Sequence, residues 1–282
     1  MHHLILGYGY CGYYLAQKLV NEQQQVTVVS RHVKPELAIP GVKHSCHDIQ
    51  HPFIWEIPDT VIYYLIPPPG EGETDLCLRS FLSHASLQAK KVIYFGSSGV
   101  YGNHAGQWVT EHAECIIQHP RQLRRLDAEK TWLDYCVKND ILATSLRIAG
   151  IYGPGRLPIE AAISGTPLIE PQHAPYTNHI YVNDLVTIAY YLSQEHLLAP
   201  IYNIADGHPG PMGSLQQCVA KCLGARKAQY ESWDTAWSKA GLMKKEFMLG
   251  SKKLDISCLR GQLGSRLTIT LIDEAVATSL QV

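Results

Sequence analysis

Three groups of residues in this chain have the types and spacing that do chemistry. The first is a glycine loop, LILGYGYCGYYLA over residues 4–16, with Gly7, Gly9 and Gly12 in a G-x-G-x-x-G spacing. A glycine at the first position allows a tight turn. One at the second lets a phosphate approach the backbone, and one at the third lets a helix press against a strand. The second group is FGSSGVYG, residues 95–102, where the Ser97 hydroxyl could hydrogen-bond a substrate oxygen. A Ser-Ser-Gly stretch also serves as a plain turn. The third is HPRQLRRLDAEKTW, residues 119–132, with Arg121, Arg124 and Arg125 just after a proline. Proline suits the first turn of a helix, but the helix macrodipole favours acidic side chains there. The arginines therefore hold an anion, replace another group, or coat a solvated face.

The elements that must position these groups follow from apolar periodicity. HHLIL (2–6) and QVTVVS (25–30) read as strands, with CGYYLAQKLVNE (11–22) as a helix between them. Further strands are predicted at 42–46, 60–66, 90–96 and 142–148, and helices at 74–89 and 121–139. TVIYYLI and KKVIYFG are near-continuous apolar runs, as central strands covered on both faces should be. Strand-helix alternation of this kind means βαβ units and a parallel sheet. After residue 153 the pattern loosens into proline- and glycine-rich stretches, although HIYVNDLVTIAYYLS and PIYNIADG return to strand and helix readings. LQQCVAKCLG reads as a helix closed by Gly224. The expected fold is α/β, a Rossmann-type doubly wound parallel sheet over residues 1–152. A smaller C-terminal substrate lobe is expected over 153–282, with part of 179–207 returning to the main sheet.

A glycine loop between a strand and a helix start is the setting in which a dinucleotide pyrophosphate sits on the helix N-terminus. NAD sites usually place an acid at the end of the next strand, for the ribose 2′-hydroxyl. Here VTVVSRHVK puts Ser30 and Arg31 there. An acid would repel a 2′-phosphate, whereas a hydroxyl and a guanidinium can bind one, so NADP is the expected cofactor and NAD the alternative. The 282 residues carry a net charge of −1, with 46% hydrophobic and 17% charged residues, which gives no case for a nucleic-acid or membrane partner. No apolar run approaches the ~20 residues of a membrane span. The start, MHHLIL, lacks the pattern of a secretory leader, so a cytoplasmic protein is expected. The eight cysteines read as reduced core residues. Cys218 and Cys222 stand at helical spacing without a neighbouring His or Asp in sequence, and no metal is expected.

Taken in order, the motifs resemble the extended short-chain dehydrogenase/reductase superfamily, which includes nucleotide-sugar epimerases and dehydratases. The resemblance rests on the glycine loop, Asp48-Ile49, IYYLIPPP, SSGVYG, LRIAGIYGPGR, HIYVNDL, YNIADG and the tail GSKKLDISCLRGQLG. It implies that Gly7, Tyr8, Gly9, Tyr10, Cys11 and Gly12 wrap the pyrophosphate. Ser30 and Arg31 would lie at the adenosine ribose, and Asp48 and Ile49 at the adenine. Leu65, Ile66 and Pro67 would flank the middle of the cofactor, with Ala149 and Gly150 near the nicotinamide. Ser97 matches the serine or threonine of the family's catalytic trio. His179 and Asp184 match positions at the junction of the lobes, and Tyr101, Tyr152, Gly153 and Pro154 read as structural. The substrate would be a small molecule, a nucleotide sugar among the options, and a homodimer rests on analogy alone.

Family members usually complete the trio with Tyr-x-x-x-Lys, the lysine four residues before the glutamate of an Ala-Glu pair. Counting back from Ala128-Glu129 puts Arg125 at the lysine position and Arg121 at the tyrosine position, so the arginine stretch is a replacement. Arg125 could still reach ribose hydroxyls. Arg121, a guanidinium, cannot exchange a proton at neutral pH but could hold an anion or an oxyanion. The plainer reading leaves Arg121 and Arg124 on a solvated face. Other acid-base candidates are Tyr10, Tyr63, Tyr64, Glu111, His112, His119 and His179. Ser98 and Gly99 stand where the family's dehydratases carry Asp-Glu, which argues against sugar-nucleotide dehydration. GNHAGQWVTEHAE resembles a subgroup of short bacterial epimerase-like proteins, many without the tyrosine. Two readings remain: an atypical NADP-preferring oxidoreductase or epimerase-like enzyme using Ser97, Arg121 and Arg125, and a dinucleotide-binding sensor without catalysis.

Overall fold

The computed structural model describes residues 1–281. Its centre is a seven-stranded, all-parallel sheet. The strands are β1 (His2–Leu6), β2 (Gln25–Ser30), β3 (Val42–Cys46), β4 (Phe53–Tyr64), β5 (Ala85–Phe95), β6 (Leu142–Ile148) and β7 (Ile201–Ile204). Their spatial order, β7-β6-β5-β4-β1-β2-β3, reverses between β1 and β4. Such a reversal opens a crevice at the carboxyl ends of the strands, and ligands of open α/β sheets bind in that crevice.

Strand alternation sends Ile5, Val61, Tyr63 and Ile93 to one face of the sheet and Leu4, Ile62, Tyr64, Val92 and Tyr94 to the other. Helix α1 (Tyr10–Asn21) brings Leu15, Ala16 and Leu19 to the first face. Helices α2 (Leu76–His84) and α3 (Pro120–Lys138) bring Leu78, Phe81, Trp132 and Cys136 to the second. After α4 (Ile159–Ser164), helix α5 (Val182–Gln194) joins α1 on the first face through Leu185, Ile188, Ala189 and Leu192. Lys91 crosses under its end: the buried ammonium donates to the carbonyls of Leu192, Ser193 and Glu195 at 3.2, 2.5 and 2.5 Å. Burial lowers its pKa to about 8, and the cation sits at the end of the helix where the dipole welcomes it.

The sequence reading differs most over residues 53–89, where the strand expected at 60–66 begins at Phe53 and the one expected at 90–96 begins at Ala85. The helix expected over 74–89 ends at His84, and residues 85–89 are strand, because β4 begins at Phe53 and pairs Phe53 with Ala85 and Trp55 with Leu87. The remaining strands form short two-stranded ladders, among them 150–152 with 179–181 and 108–109 with 253–254. The chain reaches 108–109 from the carboxyl end of β5 and 150–152 from that of β6, so both segments are fed from the crevice side. Helices α6 (Ser214–Cys222), α7 (Trp233–Lys239), α8 (Leu242–Leu249), α9 (Ser257–Leu263) and α10 (Ile272–Leu280) complete the chain. Among the described residues no helix is long and apolar enough to cross a membrane.

Candidate functional site

The glycine loop connects β1 to α1, and its three glycines meet three different surroundings. Gly7 has φ +106° and lies so near the end of β4 that a Cβ would stand 2.9 Å from Ile66 Cγ1. A Cβ at Gly12 would stand 2.6 Å from the Gly7 carbonyl oxygen. At Gly9 a Cβ would meet nothing within 4 Å. The first and third are therefore required by the protein's own packing, while the second faces open space beside the start of α1. That helix has no acid in its first turn, and its first N–H groups have no partner of their own in the helix. Leu65 N donates to Leu6 O at 2.8 Å, which brings Leu65 and Ile66 along the same crevice, with Pro67 exposed beyond them.

Two loop residues turn away from that space. Tyr8 is buried, and its hydroxyl donates to Leu37 O at 2.6 Å, bracing the loop after β2. Cys11 is mostly enclosed, and burial pushes its thiol up. Tyr10 lies partly exposed, with its ring under the Arg156 guanidinium at 4.1 Å.

At the end of β2 the Ser30 hydroxyl is engaged locally, donating to His32 O at 2.7 Å and lying 2.8 Å from His44 Nε2. Arg31 is exposed, and no carboxylate among the described residues stands within 4.0 Å of its guanidinium. After β3, Asp48 accepts from Gln50 N at 3.1 Å, and Ile49 is buried against the α2–α3 face.

Ser97 follows β5 and caps the 3-10 turn Ser98–Tyr101, its Oγ accepting from Gly99 N at 3.1 Å. That bond uses one lone pair and leaves the hydroxyl proton free to donate. The Gln122 side chain fastens the start of α3 to this turn. Its Nε2 donates to Gly99 O at 2.9 Å, and its Oε1 accepts from the backbones of Gln118 and His119 at 2.7 and 3.0 Å. Gln122 therefore caps the helix and positions it, a role the sequence reading did not give it.

The three arginines separate. Arg124 is 8% exposed, and its Nη1 donates to Gly72 O at 2.6 Å; the solvated-face reading is corrected for it, because it anchors the loop after β4. Arg121 is 47% exposed on its side chain, with Nη1 3.8 Å from Glu246 of α8. Arg125 is half-buried beside the Tyr94 hydroxyl. Burial lowers the guanidinium's pKa, countered by Tyr94 and Asp75 and reinforced by Arg121. Tyr94 itself is raised by burial, and Arg125 opposes that shift. Strand alternation aims Tyr94 at α3, a signal readable in KKVIYFG only once the helix opposite is known.

Ala149 is buried where β6 leaves the sheet, its N–H donating to Ile204 O at 2.9 Å. A Cβ on Gly150 would lie 3.4 Å from His179 Cδ2, so His179 closes on this corner. Burial lowers the His179 pKa to about 4, leaving a neutral ring. Several acid-base candidates are committed to packing. Tyr63 and Tyr64 are fully buried, with the Tyr63 hydroxyl 3.1 Å from His3 Nδ1. Glu111 accepts from Asn203 N at 2.9 Å, and Asp184 accepts from the Thr270 backbone and hydroxyl, each at 2.8 Å. Tyr101 donates to Asn203 Oδ1 at 2.7 Å and lies under Arg147, which pairs with buried Glu129 at 2.7 Å.

No protein-family model matches the chain, and no curated protein matches it in sequence. Solved structures share its fold across its length. A functionally unknown conserved protein from Silicibacter pomeroyi has a TM-score of 0.81 at 22% identity, covering 99% of this chain and 98% of that one. UDP-glucose 4-epimerase from Thermotoga maritima, solved with UDP-glucose, has a TM-score of 0.75 at 16% identity, covering 99% and 98%. UDP-glucuronic acid 4-epimerase from Bacillus cereus, solved with NAD, has a TM-score of 0.75 at 19% identity, covering 100% and 96%. The Rossmann-type fold of the epimerase-like proteins is therefore this chain's fold.

Proposed function

We propose that this protein binds a nicotinamide dinucleotide in the crevice between β1 and β4, prefers NADP, and acts as an atypical extended dehydrogenase/reductase or epimerase-like enzyme. The carrying observation is the contrast within the glycine loop. Gly7 and Gly12 are demanded by contacts inside the protein, and Gly9 is demanded by nothing inside it. A glycine kept against open space fits a backbone that a pyrophosphate approaches. Two structures of this fold, from other proteins, hold NAD and a UDP-sugar respectively, which supports a dinucleotide and a small-molecule substrate. The NADP preference rests on Arg31, exposed and without an acid partner where a 2′-phosphate would sit.

When bound, the cofactor supplies hydride exchange with a carbonyl or hydroxyl carbon. The chain's own part begins with Ser97, whose free hydroxyl proton donates to the substrate oxygen. Arg125, at the lysine position of the resemblance, keeps a positive field beside the nicotinamide ribose. Neither arginine releases a proton at neutral pH, so the proton comes from a donor outside the usual position or from water. A second reading, a dinucleotide sensor without catalysis, is favoured by Arg121, which occupies the tyrosine position and meets Glu246 of its own chain.

Calorimetric titration with NADPH and NADH, repeated with a panel of nucleotide sugars, tests these readings. Tight NADPH binding strengthened by one sugar supports the enzyme and names its substrate class. NADPH binding indifferent to every sugar moves the balance to the sensor or to a non-sugar substrate. Failure to bind either dinucleotide defeats the proposal.

A further inference from the structure

Arg156 has no task in the site as described, yet its surroundings are built with care. Its backbone N–H donates to Gly153 O at 2.9 Å, closing a turn in which Gly153 has φ +152° and Gly155 φ +71°. The turn leans on the first residue of α1: a Cβ on Gly153 would lie 2.7 Å from Tyr10 Oη and 2.7 Å from Val182 Cγ1. Only glycine allows that approach, and it sets the Arg156 guanidinium over the Tyr10 ring, 4.1 Å from its centre. The charge is felt inside the glycine loop, where it opposes the effect of burial on both Tyr10 and Cys11.

The guanidinium has no counter-charge. Among the described residues no carboxylate lies within 4.0 Å of it. The first turn of α1 carries no acid either, and Arg156 is exposed. A cation resting on an aromatic face is held in place without its five N–H donors being used up. Tyr10, on which it rests, is the chain neighbour of Gly9, where an added Cβ would meet nothing within 4 Å.

We infer that Arg156 is an anion clamp, closing on the cofactor's pyrophosphate from the side opposite the glycine-loop amides. The inference rests on the dinucleotide reading given above and adds a residue to that site. Arg156 follows β6 and leads into α4, whereas Gly9 and Tyr10 follow β1. The pyrophosphate would thus be gripped by two segments far apart in sequence. The same guanidinium chemistry would suit the diphosphate of a nucleotide sugar, and the experiment separates the two sources.

The test compares Arg156→Ala and Arg156→Lys with the wild type, by calorimetric titration with NADPH, NADH and ADP-ribose. Loss of a charge-assisted contact should weaken all three ligands in the alanine variant by a common factor of about ten to a hundred. The ratio of NADPH to NADH affinity should stay as it was, since the clamp does not read the 2′-phosphate. Lysine should restore part of the affinity, keeping the charge but not the planar fork. The melting temperature without ligand should fall by no more than about 4 °C, the loss of one exposed cation–π contact. Equal affinities in wild type and Arg156→Ala overturn the clamp while leaving the dinucleotide reading intact. A loss confined to NADPH, or to a nucleotide sugar titrated afterwards, also overturns it by assigning the guanidinium to another anion. Wild-type protein that binds no dinucleotide overturns the underlying reading and the clamp with it.

Discussion

Alanine at Gly9 and alanine at Gly12 should fail in opposite ways, although both add one methyl group to the same loop. At Gly12 the new Cβ would stand 2.6 Å from the Gly7 carbonyl oxygen, where ordinary contact begins at 3.4 Å. The neighbour is backbone, itself held by Gly7 N donating to Val29 O at 3.0 Å. Strand and helix must therefore part by about 0.8 Å, the difference between those two distances. Overpacking of this kind costs about 1–3 kcal/mol, and a chain of this size loses roughly 2–4 °C of melting temperature per kcal/mol. Gly12→Ala should melt about 2–12 °C lower than the wild type without any ligand present.

At Gly9 the backbone has φ −108° and ψ −154°, a conformation any residue adopts, and the Cβ would have nothing within 4 Å. Gly9→Ala should melt within about 1 °C of the wild type, as a surface substitution does. The methyl would instead stand where the phosphates approach the loop amides. Losing one or two charge-assisted hydrogen bonds of about 1.5–3 kcal/mol each predicts a dinucleotide affinity lower by about tenfold to a hundredfold or more. Thermal denaturation followed by circular dichroism reads the first quantity and calorimetric titration with NADPH the second. Wild-type affinity in Gly9→Ala, or a larger loss of stability there than in Gly12→Ala, would refute the reasoning from which the dinucleotide site is built.

Arg31→Asp should shift the ratio of NADPH to NADH affinity toward NADH by at least about tenfold, by setting an acid against the 2′-phosphate; an unchanged ratio in titration defeats the NADP assignment. Ser97→Ala should remove substrate turnover, read as conversion of substrate to product, while sparing cofactor affinity, and unchanged turnover takes Ser97 out of the mechanism. Glu129→Gln should cost about 3–5 kcal/mol in urea denaturation, because it strands the buried Arg147 guanidinium. Adding Arg147→Met should recover much of that loss, and strictly additive losses would contradict the pairing. His3, with a pKa lowered by burial from 6.5 to about 4, is neutral in the folded chain over a range where the unfolded chain takes up a proton. Stability should therefore fall as the pH drops from 6.5 toward about 4. His3→Gln should flatten that limb of the urea midpoint against pH, and an unaltered limb would remove His3 from the acid response.

The fold was legible wherever one face or one motif decided the matter. Near-continuous apolar runs at TVIYYLI and KKVIYFG identified the central strands, because a parallel sheet covered on both faces needs them. The turn at Gly7 and the helix contact at Gly12 were legible because their demands are local, falling within six residues. What stayed hidden depends on partners distant in sequence. Residues 85–89, ASLQA, are locally sound helix formers, and only pairing with the early part of β4 makes them strand. Nothing near Arg124 in sequence announces that its partner is the carbonyl of Gly72, 52 residues away. Gln122 reads as an unremarkable polar residue until the Ser97 turn is brought against the helix start.

If Arg121 and Arg125 stand in for the tyrosine and lysine of the resemblance, the chemistry changes with them. Arg121 and Arg125 stand one helical turn apart, an arrangement in which like charges repel by a few tenths of a kcal/mol. Glu246 answers the exposed member of the pair. The half-buried member lies against Tyr94, a neutral phenol raised further by burial. A Tyr-Lys pair at these positions would provide a proton and a field that tunes its release. Two guanidiniums provide the field alone, since neither releases a proton at working pH. The Ser97 hydroxyl, with its proton free and one lone pair already given to Gly99, can polarise a substrate oxygen but cannot supply the proton's replacement. Any turnover this chain performs must therefore draw that proton from water or from a donor outside these two positions, and its rate should show no titration of a tyrosine there.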